Sequence, residues 1–273
     1  MHLLLTVLVA IVADAGHVLA GSRIWQPDVN KGRLNSRSFA INTDRFLGTK
    51  IPWPNSQIRY CFDNAESRDV LNNMIIAAHD LWLRNGLDSE FTISEVGEEE
   101  CRDHRFDTLK VFYTGPTGSL STFPGLPAPG SWMRMAENPE TRPKSMLTTS
   151  VHKGMLDPVA NIAHELGHAW GLMHEHQNPA FWGEGTVSNG QGGTVFGPEN
   201  NGNWRCELLL DYEKAAGSDE ARIKTLCRDY DTAAFNKFSA SEYLPMPQDM
   251  GVAGTSGKSS KDVDWKSIMI CEC

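Results

Sequence analysis

The chain has 273 residues, and its 34 acidic against 25 basic side chains give a formal net charge of −9. A composition of 40% hydrophobic and 22% charged residues is that of a globular protein with a buried core, which excludes collagenous, low-complexity and disordered classes. The acidic balance argues against a nucleic-acid partner, because such binding needs a basic surface.

Residues 1–20 predict a secretory signal peptide. Their apolar run from Leu3 to Ala13 is shorter than the roughly 20 residues that a membrane span needs. Small residues follow in two cleavage patterns, which end at Ala15 and Ala20. No later segment is apolar enough to cross a membrane, so we expect a secreted, extracellular protein with no membrane partner.

The first half of the chain after the signal peptide mixes strand and helix patterns. Residues 21–50 are polar without a hydrophobic period, which predicts a tether or a short pro-segment. The elements predicted next are turn residues and a strand within 51–62, a helix over 64–86, strands at 91–96, 109–113 and 145–151, and a loop or irregular edge strand over 114–130. This mixture predicts a sheet with helices packed on it, which is an α+β fold.

The second half has a different composition. Two stretches rich in Gly and Asn or Ser, 178–203 and 246–261, favour turns over packing. Between them, residues 205–215 and 218–228 predict short helices. Six cysteines in an oxidising compartment are expected to form disulfides. Of the fifteen possible pairings, local position favours those of Cys61 with Cys101 and of Cys206 with Cys227.

A helix that carries two histidines is predicted from residue 158 to about residue 170. Asp157 suits the N-cap position and Pro158 the first turn. The apolar side chains at positions 159, 162, 166 and 170 form one stripe. His164 and His168 lie about 40° apart on the opposite face, because one residue advances the helix by about 100°. The helix is therefore expected to bury one side and to project two imidazoles together from the other.

The residues around this helix complete a pattern typical of a metal site. Gly171 can adopt the left-handed conformation that ends a helix, so His174 can approach as a third ligand from another direction. Three neutral imidazoles with a fourth position open to water form a catalytic zinc arrangement. Zinc lowers the pKa of its water, and Glu165, beside the histidines, is placed to take the proton.

The run HELGHAWGLMH at 164–174 matches the zinc-binding pattern of the metzincin peptidases at each fixed position. Metzincins also have a methionine turn beneath the metal, and Met269 in the sequence SIM resembles it. Glu175 follows the third histidine, as in astacin-like enzymes, and WPNSQIRYCF at 53–62 resembles the first strand of their mature domain. The chain is therefore identified as similar to the secreted, astacin-like metzincins over about 51–271.

This resemblance implies a two-lobed domain over 51–273, with a twisted mixed sheet and helices in an N-terminal lobe (51–171) and an irregular C-terminal lobe (172–273). It implies one catalytic zinc ion and a polypeptide substrate, and we expect a monomer. Gly118–Thr122 would pair with the substrate as an edge strand, although a loop is an equal alternative. The roles that it implies are zinc ligands for His164, His168 and His174, general base for Glu165, and structural support for Gly171, Glu175 and Met269.

The sequence departs from the astacin-like pattern near its end. Met269 follows His174 by 95 residues, which implies an insertion in the C-terminal lobe. Cys271 stands where the family has a tyrosine that stabilises the oxyanion, so reduced activity is expected. The end of the sequence at Cys273 has three possible interpretations: a divergent terminus with a disulfide, an alternative metal thiolate, or a truncated or mispredicted gene end. The abrupt end of the resemblance favours truncation.

The sequence leaves two functions and one regulatory feature open. The first function is that of a secreted zinc endopeptidase, and the alternative is a zinc-binding, catalytically impaired secreted protein of the same fold. Asp28 or Asp44 could reach the zinc as a pro-segment carboxylate, and a solvated aspartate is the alternative for each.

Overall fold

The computed structural model describes residues 40–41, 50–127, 142–183, 187–196, 204–217, 219–247, 252–253 and 260–270. The predicted signal peptide, the aspartates Asp28 and Asp44, and the terminal cysteines Cys271 and Cys273 lie outside these residues. What the sequence predicts for them therefore stays a prediction.

Strands predominate in the first part of the described chain, and short helices in the second. The strands are β1 (Ala40–Ile41), β2 (Lys50–Ile51), β3 (Gln57–Phe62), β4 (Thr92–Glu95), β5 (Leu109–Tyr113), β6 (Ser121–Thr122), β7 (Leu126–Pro127), β8 (Lys144–Leu147) and β9 (Val252–Ala253). The α-helices are α1 (Ala65–Arg84), α2 (Glu98–Asp103), α3 (Pro158–Ala169), α4 (Tyr212–Ala216), α5 (Glu220–Leu226) and α6 (Tyr230–Phe235). Short 3-10 helices lie at Pro54–Ser56, Glu175–Gln177, Pro179–Phe181, Cys206–Leu208 and Ser239–Glu242. The chain thus has the mixed α+β composition that the sequence predicts.

A five-stranded mixed sheet has the strand order β4-β3-β5-β8-β6. β3 runs parallel to β4 and β5, and β5 runs parallel to β8. β6 pairs antiparallel with β8, with Thr122 opposite Ser145, and forms one edge of the sheet. Because successive side chains of a strand face opposite sides, Ile58 and Tyr60 of β3 and Leu109 and Val111 of β5 point to one buried face.

Helix α1 packs on this face and confirms the predicted helix. The Asn64 side chain accepts a hydrogen bond from Ser67 N at 2.8 Å and so caps the first turn. Gly86 has a φ of 96°, a left-handed conformation that helps the chain to leave the helix. The buried apolar side chains recur at helical spacing, and they are Leu71, Ile75, Ala78 and Trp82.

Helix α3 lies against α1 and is held by tryptophan side chains as well as by packing. Asp157 accepts a hydrogen bond from Ala160 N at 2.7 Å, which confirms the predicted cap. The indole N–H of Trp82 donates to Ala163 O, and that of Trp53 donates to Ala169 O, each at 2.7 Å. These bonds give the buried indoles the partners that they need and fix the position of α3 beside the sheet.

Buried hydrophobic side chains of the described residues form two main clusters. The first combines the sheet, α1 and α3 with Ile268 and Met269. The second is built from the chain after residue 180 and includes Phe181, Leu226 and Phe238. The division into two lobes near residue 171 stays a prediction.

Both predicted disulfide pairings are confirmed. Cys61 of β3 is bonded to Cys101 of α2, with their Cα atoms 6.0 Å apart. Cys206 is bonded to Cys227, with their Cα atoms 5.8 Å apart. No helix in the described ranges has the length and apolar character that crossing a membrane requires.

Several predicted elements differ from those observed. The strand predicted at 145–151 ends at Leu147, and the helix predicted at 205–215 is a 3-10 turn followed by α4. The sequence did not predict α2 or α6, because six residues are too few to establish a hydrophobic period. Within the predicted edge strand Gly118–Thr122, only Ser121–Thr122 forms strand pairs.

Candidate metal centre

Three histidine side chains meet at one point beside α3. His164 and His168 lie on adjacent turns of the helix, with ring centroids 4.7 Å apart. Gly171 has a φ of 98°, so the chain turns sharply after the helix and brings His174 back to the other two. Nε2 of His174 is 3.1 Å from Nε2 of His164 and from that of His168. Because one ligand atom of each lies within 4.8 Å of the others, the triad can hold a metal ion.

The Nδ1 atom of each histidine donates a hydrogen bond to an oxygen. The acceptors are Ile268 O for His164 at 2.6 Å, Leu172 O for His168 at 2.8 Å, and Gln177 Oε1 for His174 at 3.1 Å. Since a carbonyl oxygen only accepts, Nδ1 carries the proton and Nε2 of the neutral ring is a bare acceptor.

The spacing of the three Nε2 atoms fits a shared ion. Nε2 of His174 is a bare acceptor 3.1 Å from each of the other two, and bare acceptors cannot hydrogen-bond to one another. A tetrahedral zinc ion with Zn–N bonds of about 2.0–2.1 Å places neighbouring nitrogens about 3.3 Å apart. The donor set and its spacing therefore suit such an ion.

Burial keeps the rings of His164 and His174 in the neutral form that metal binding requires. Desolvation lowers the pKa of His164, although the bond to Ile268 O opposes this effect. Desolvation also lowers the pKa of His174 well below its usual value, and the charges of His168, His176 and His164 add to the decrease. These two rings are therefore neutral at neutral pH.

The face of α3 that carries the two imidazoles is buried, which the sequence pattern did not indicate. The two imidazoles do share one face, as predicted, but His164 is 9% and His168 is 8% exposed. Ile268 and Met269 cover this face from the far end of the chain. The helix pattern could not show this burial, because it gives no information about segments about 100 residues away.

Glu165 lies beside the triad and is 5% exposed. Desolvation raises the pKa of its carboxyl to about 7, a hydrogen bond from Thr122 opposes the shift, and the charge of Glu242 adds to it. Thr122 Oγ1 is also 2.6 Å from Ser145 Oγ. The Thr122 hydroxyl donates its hydrogen bond to Glu165, so the Ser145 hydroxyl must be the donor to Thr122 Oγ1. The two hydroxyls together orient the carboxyl group.

Met269 packs directly beneath the histidine helix. A Cβ atom on Gly167 would lie 2.5 Å from Met269 Sδ, so the glycine leaves the space that the methionine occupies. Met269 O accepts a hydrogen bond from Glu175 N at 2.9 Å, and Ser267 Oγ accepts one from Met269 N at 3.1 Å. The residues predicted to form a methionine turn thus contact the segment that follows the third histidine.

Glu175 is 1% exposed and lies next to the third histidine in the chain. Its backbone joins the 3-10 helix Glu175–Gln177 to Met269. The predicted role of its carboxylate as structural support stays a prediction.

Contacts between the segment that follows His174 and residues 241–246 hold this histidine in place, and the sequence did not predict them. Gln177, which accepts from His174, donates through Nε2 to Ser241 O at 2.9 Å. His176 donates through Nε2 to Glu242 O at 2.8 Å. Met246 N donates to Gln177 O at 3.1 Å. The sequence indicated these contacts only through the polar run HEHQN, which begins at the third histidine.

Strand β6 lies near the histidines at the edge of the sheet. The chain just after it, at Gly125, donates from its backbone N to His168 O at 3.1 Å. Thr122 at its end contacts Glu165, as described above. The structure therefore places part of the predicted substrate-pairing strand beside Glu165, and its pairing with a substrate stays a prediction.

Comparisons with known proteins give a limited result. No family model matches the chain, and no curated protein matches it. One similar solved structure is high choriolytic enzyme 1, a hatching enzyme zinc-protease from the medaka fish Oryzias latipes. It has 20% sequence identity and a TM-score of 0.28, and the match covers 48% of this chain and 52% of that one. The chain thus spans about half the length of this structure, and a TM-score this low establishes no common fold.

The class that the described residues define is an α+β protein with two disulfides and a buried histidine triad that can bind a metal ion.

Proposed function

We propose that the protein is a secreted, zinc-dependent metalloendopeptidase of the astacin-like metzincin type. The observation that carries this proposal is the convergence of three unprotonated Nε2 atoms beside the carboxyl group of Glu165. The domain would extend over 51–273, with the lobes meeting near residue 171, and would act as a monomer on polypeptides.

Zinc is the proposed ion because the donors are all nitrogen. Imidazole ligands suit zinc and other late transition metals, whereas Mg²⁺ and Ca²⁺ prefer oxygen. In the described residues, three side chains form the set, which leaves a coordination position for water or substrate, as in catalytic sites.

Glu165 would carry out the proton transfers of peptide hydrolysis. Zinc, when bound, supplies a Lewis acid that lowers the pKa of water and polarises the scissile carbonyl. Glu165 accepts a proton from the attacking water and passes it to the leaving amine. The Thr122 hydroxyl holds the carboxyl group, and its buried oxygen Oε2 has no hydrogen-bond partner among the described residues, so Oε2 would be the oxygen that accepts the proton.

A polypeptide would bind along β6. This strand has a partner only on its β8 side in the described sheet, so its other side can pair with an extended chain. Such pairing places a peptide bond near Glu165, because Thr122 belongs to the same strand.

A second candidate function is that of a zinc-binding protein with impaired catalysis. The observation that favours it is Cys271, which stands in the position of an oxyanion-stabilising tyrosine in the resembling enzymes. Loss of one such donor costs about 3 kcal/mol of transition-state stabilisation.

Digestion of casein by purified protein with measured zinc content tests these functions. The peptidase predicts cleavage that a chelator abolishes and that added zinc restores. Full zinc occupancy without cleavage would favour the second candidate. Cleavage that a chelator leaves unchanged would contradict both.

A further inference from the structure

Glu242 lies close to the third histidine. It ends the 3-10 helix Ser239–Glu242, and its backbone oxygen accepts the 2.8 Å hydrogen bond from His176 Nε2. The His176 ring stacks on His174, with centroids 5.1 Å apart and ring planes 18° apart. One side chain therefore separates the backbone of Glu242 from a proposed metal ligand.

The segment that carries Glu242 is fixed on both sides. Gln177 donates to Ser241 O at 2.9 Å, just before Glu242, and also to Leu244 O at 3.4 Å, just after it. The Tyr243 ring packs on His176, with centroids 5.8 Å apart. A side chain on so well-anchored a backbone can act on a ligand from a defined position.

The carboxylate of Glu242 acts electrostatically on the site. Desolvation raises the pKa values of Glu165, Tyr230 and Tyr243, and the charge of Glu242 adds to each increase. The protein around it raises its own pKa through desolvation, while its accessible surface is that of an exposed residue. Glu242 is thus a recessed group that a ligand can still reach.

Nothing positive opposes this charge in the part of the chain that the structure describes. The ion pairs found there involve other carboxylates, and no cation influences the pKa of Glu242. The titratable groups on which its charge acts, Glu165, Tyr230 and Tyr243, are all acids, and none of them carries a positive charge. The carboxylate therefore adds a negative potential to a site whose third histidine stacks on the His176 ring that Glu242 O holds, and a bound cation would relieve this potential.

We propose that Glu242 is a specificity-determining residue that selects polypeptides with a lysine or arginine side chain near the cleaved bond. This inference rests on the proposed peptidase function. An ammonium or guanidinium group would form a charge-assisted hydrogen bond with the carboxylate, and the partial desolvation strengthens it. An acidic side chain at the same subsite would meet like-charge repulsion, which adds to the discrimination.

Matched fluorogenic peptides test the inference with zinc-loaded protein. The peptides differ at one position, which carries Lys, Arg, Gln or Glu, and this position is moved along the peptide in separate sets. In the peptide set whose varied residue reaches Glu242, the wild-type protein should show a kcat/KM about 10 to 100 times higher for Lys or Arg than for Gln. This is the ratio expected for a hydrogen bond to a charged group. The Glu peptide should be the poorest substrate.

Variants assign this preference to Glu242. In Glu242→Gln the ratio between Lys and Gln peptides should fall to near one, and Glu242→Lys should favour the Glu peptide. Glu213→Gln, a change at an exposed glutamate of α4, should keep the wild-type ratio. If the Glu242 variants do not fold, the wild-type ratio itself should fall as NaCl is increased, because salt screens the pairing.

The outcomes separate this inference from the proposed function. Cleavage with equal ratios in wild type and Glu242→Gln, or a wild-type ratio near one at every position, overturns the role of Glu242 and leaves the peptidase intact. Zinc-loaded wild-type protein that cleaves none of the peptides and no casein overturns both.

Discussion

Gln177 accepts a hydrogen bond from His174 Nδ1 at 3.1 Å and donates through Nε2 to Ser241 O at 2.9 Å. One amide group thus orients the third histidine and ties it to a segment 64 residues further along the chain. His164 and His168 use backbone oxygens for the same purpose, whereas His174 uses the side chain of Gln177.

Replacing Gln177 should weaken metal binding. Gln177→Leu removes the hydrogen bond from His174 and those to Ser241 O and Leu244 O, so the His174 ring loses its fixed tautomer and orientation. We expect zinc affinity to fall about 10–100-fold, as for other groups that hold metal ligands. Competition with a fluorescent chelator measures the affinity. Gln57→Leu, at an exposed position of β3, is the matched control, and equal affinities in the two variants would contradict the role of Gln177.

A side chain at Gly167 should displace Met269. The Cβ atom of Gly167→Ala would lie 2.5 Å from Met269 Sδ and 3.1 Å from Trp82 Cζ2, so the core must shift. We expect the free energy of unfolding to decrease by about 1–3 kcal/mol, which is typical of overpacking. Urea unfolding of the metal-free protein measures this change. Gly97→Ala is the control because nothing lies within 4 Å of its added Cβ, and equal losses would contradict the steric explanation.

The metal-free protein should lose stability below pH 6.5. Burial lowers the pKa of His176 from 6.5 to about 4, and its bond to Glu242 O partly opposes the shift. As pH falls below 6.5 the unfolded chain takes up a proton that the folded protein does not, so stability decreases until about pH 4. The difference corresponds to about 3 kcal/mol for this one group.

Thermal unfolding in the presence of a chelator between pH 7.5 and 4 measures this effect. The decrease in Tm on acidification should be smaller in His176→Gln than in the wild type. His152→Gln changes an exposed histidine and should leave the decrease unchanged. An equal decrease in Tm in the wild type and in His176→Gln would show that His176 does not cause the acid sensitivity.

Local sequence patterns predicted the parts of the site that lie within one helix and the turn after it. The spacing of His164 and His168 and the glycine at 171 were sufficient to predict that three histidines meet. The reason is that the geometry of a helix and of its end depends on neighbouring residues. The helix α1 and the two disulfides of the described residues were predicted for the same reason, since periodicity and local position decide them.

The remaining parts depend on residues that are distant in sequence. His164 meets Ile268 across 104 residues, and His176 meets Glu242 across 66. Only the resemblance to metzincins indicated Met269, and nothing in the sequence indicated Gln177 as a bridge or Glu242 as a neighbour of Glu165. Such contacts follow from how the segments pack, which no periodicity encodes.

Zinc-loaded Glu165→Gln protein, compared with zinc-loaded wild type on casein, tests the central claim most directly. Gln keeps the size of the side chain but cannot accept the proton, so the variant should retain one zinc ion per chain and lose cleavage by about 10²–10⁴-fold. Cleavage by this variant at the wild-type rate would contradict the proposed mechanism.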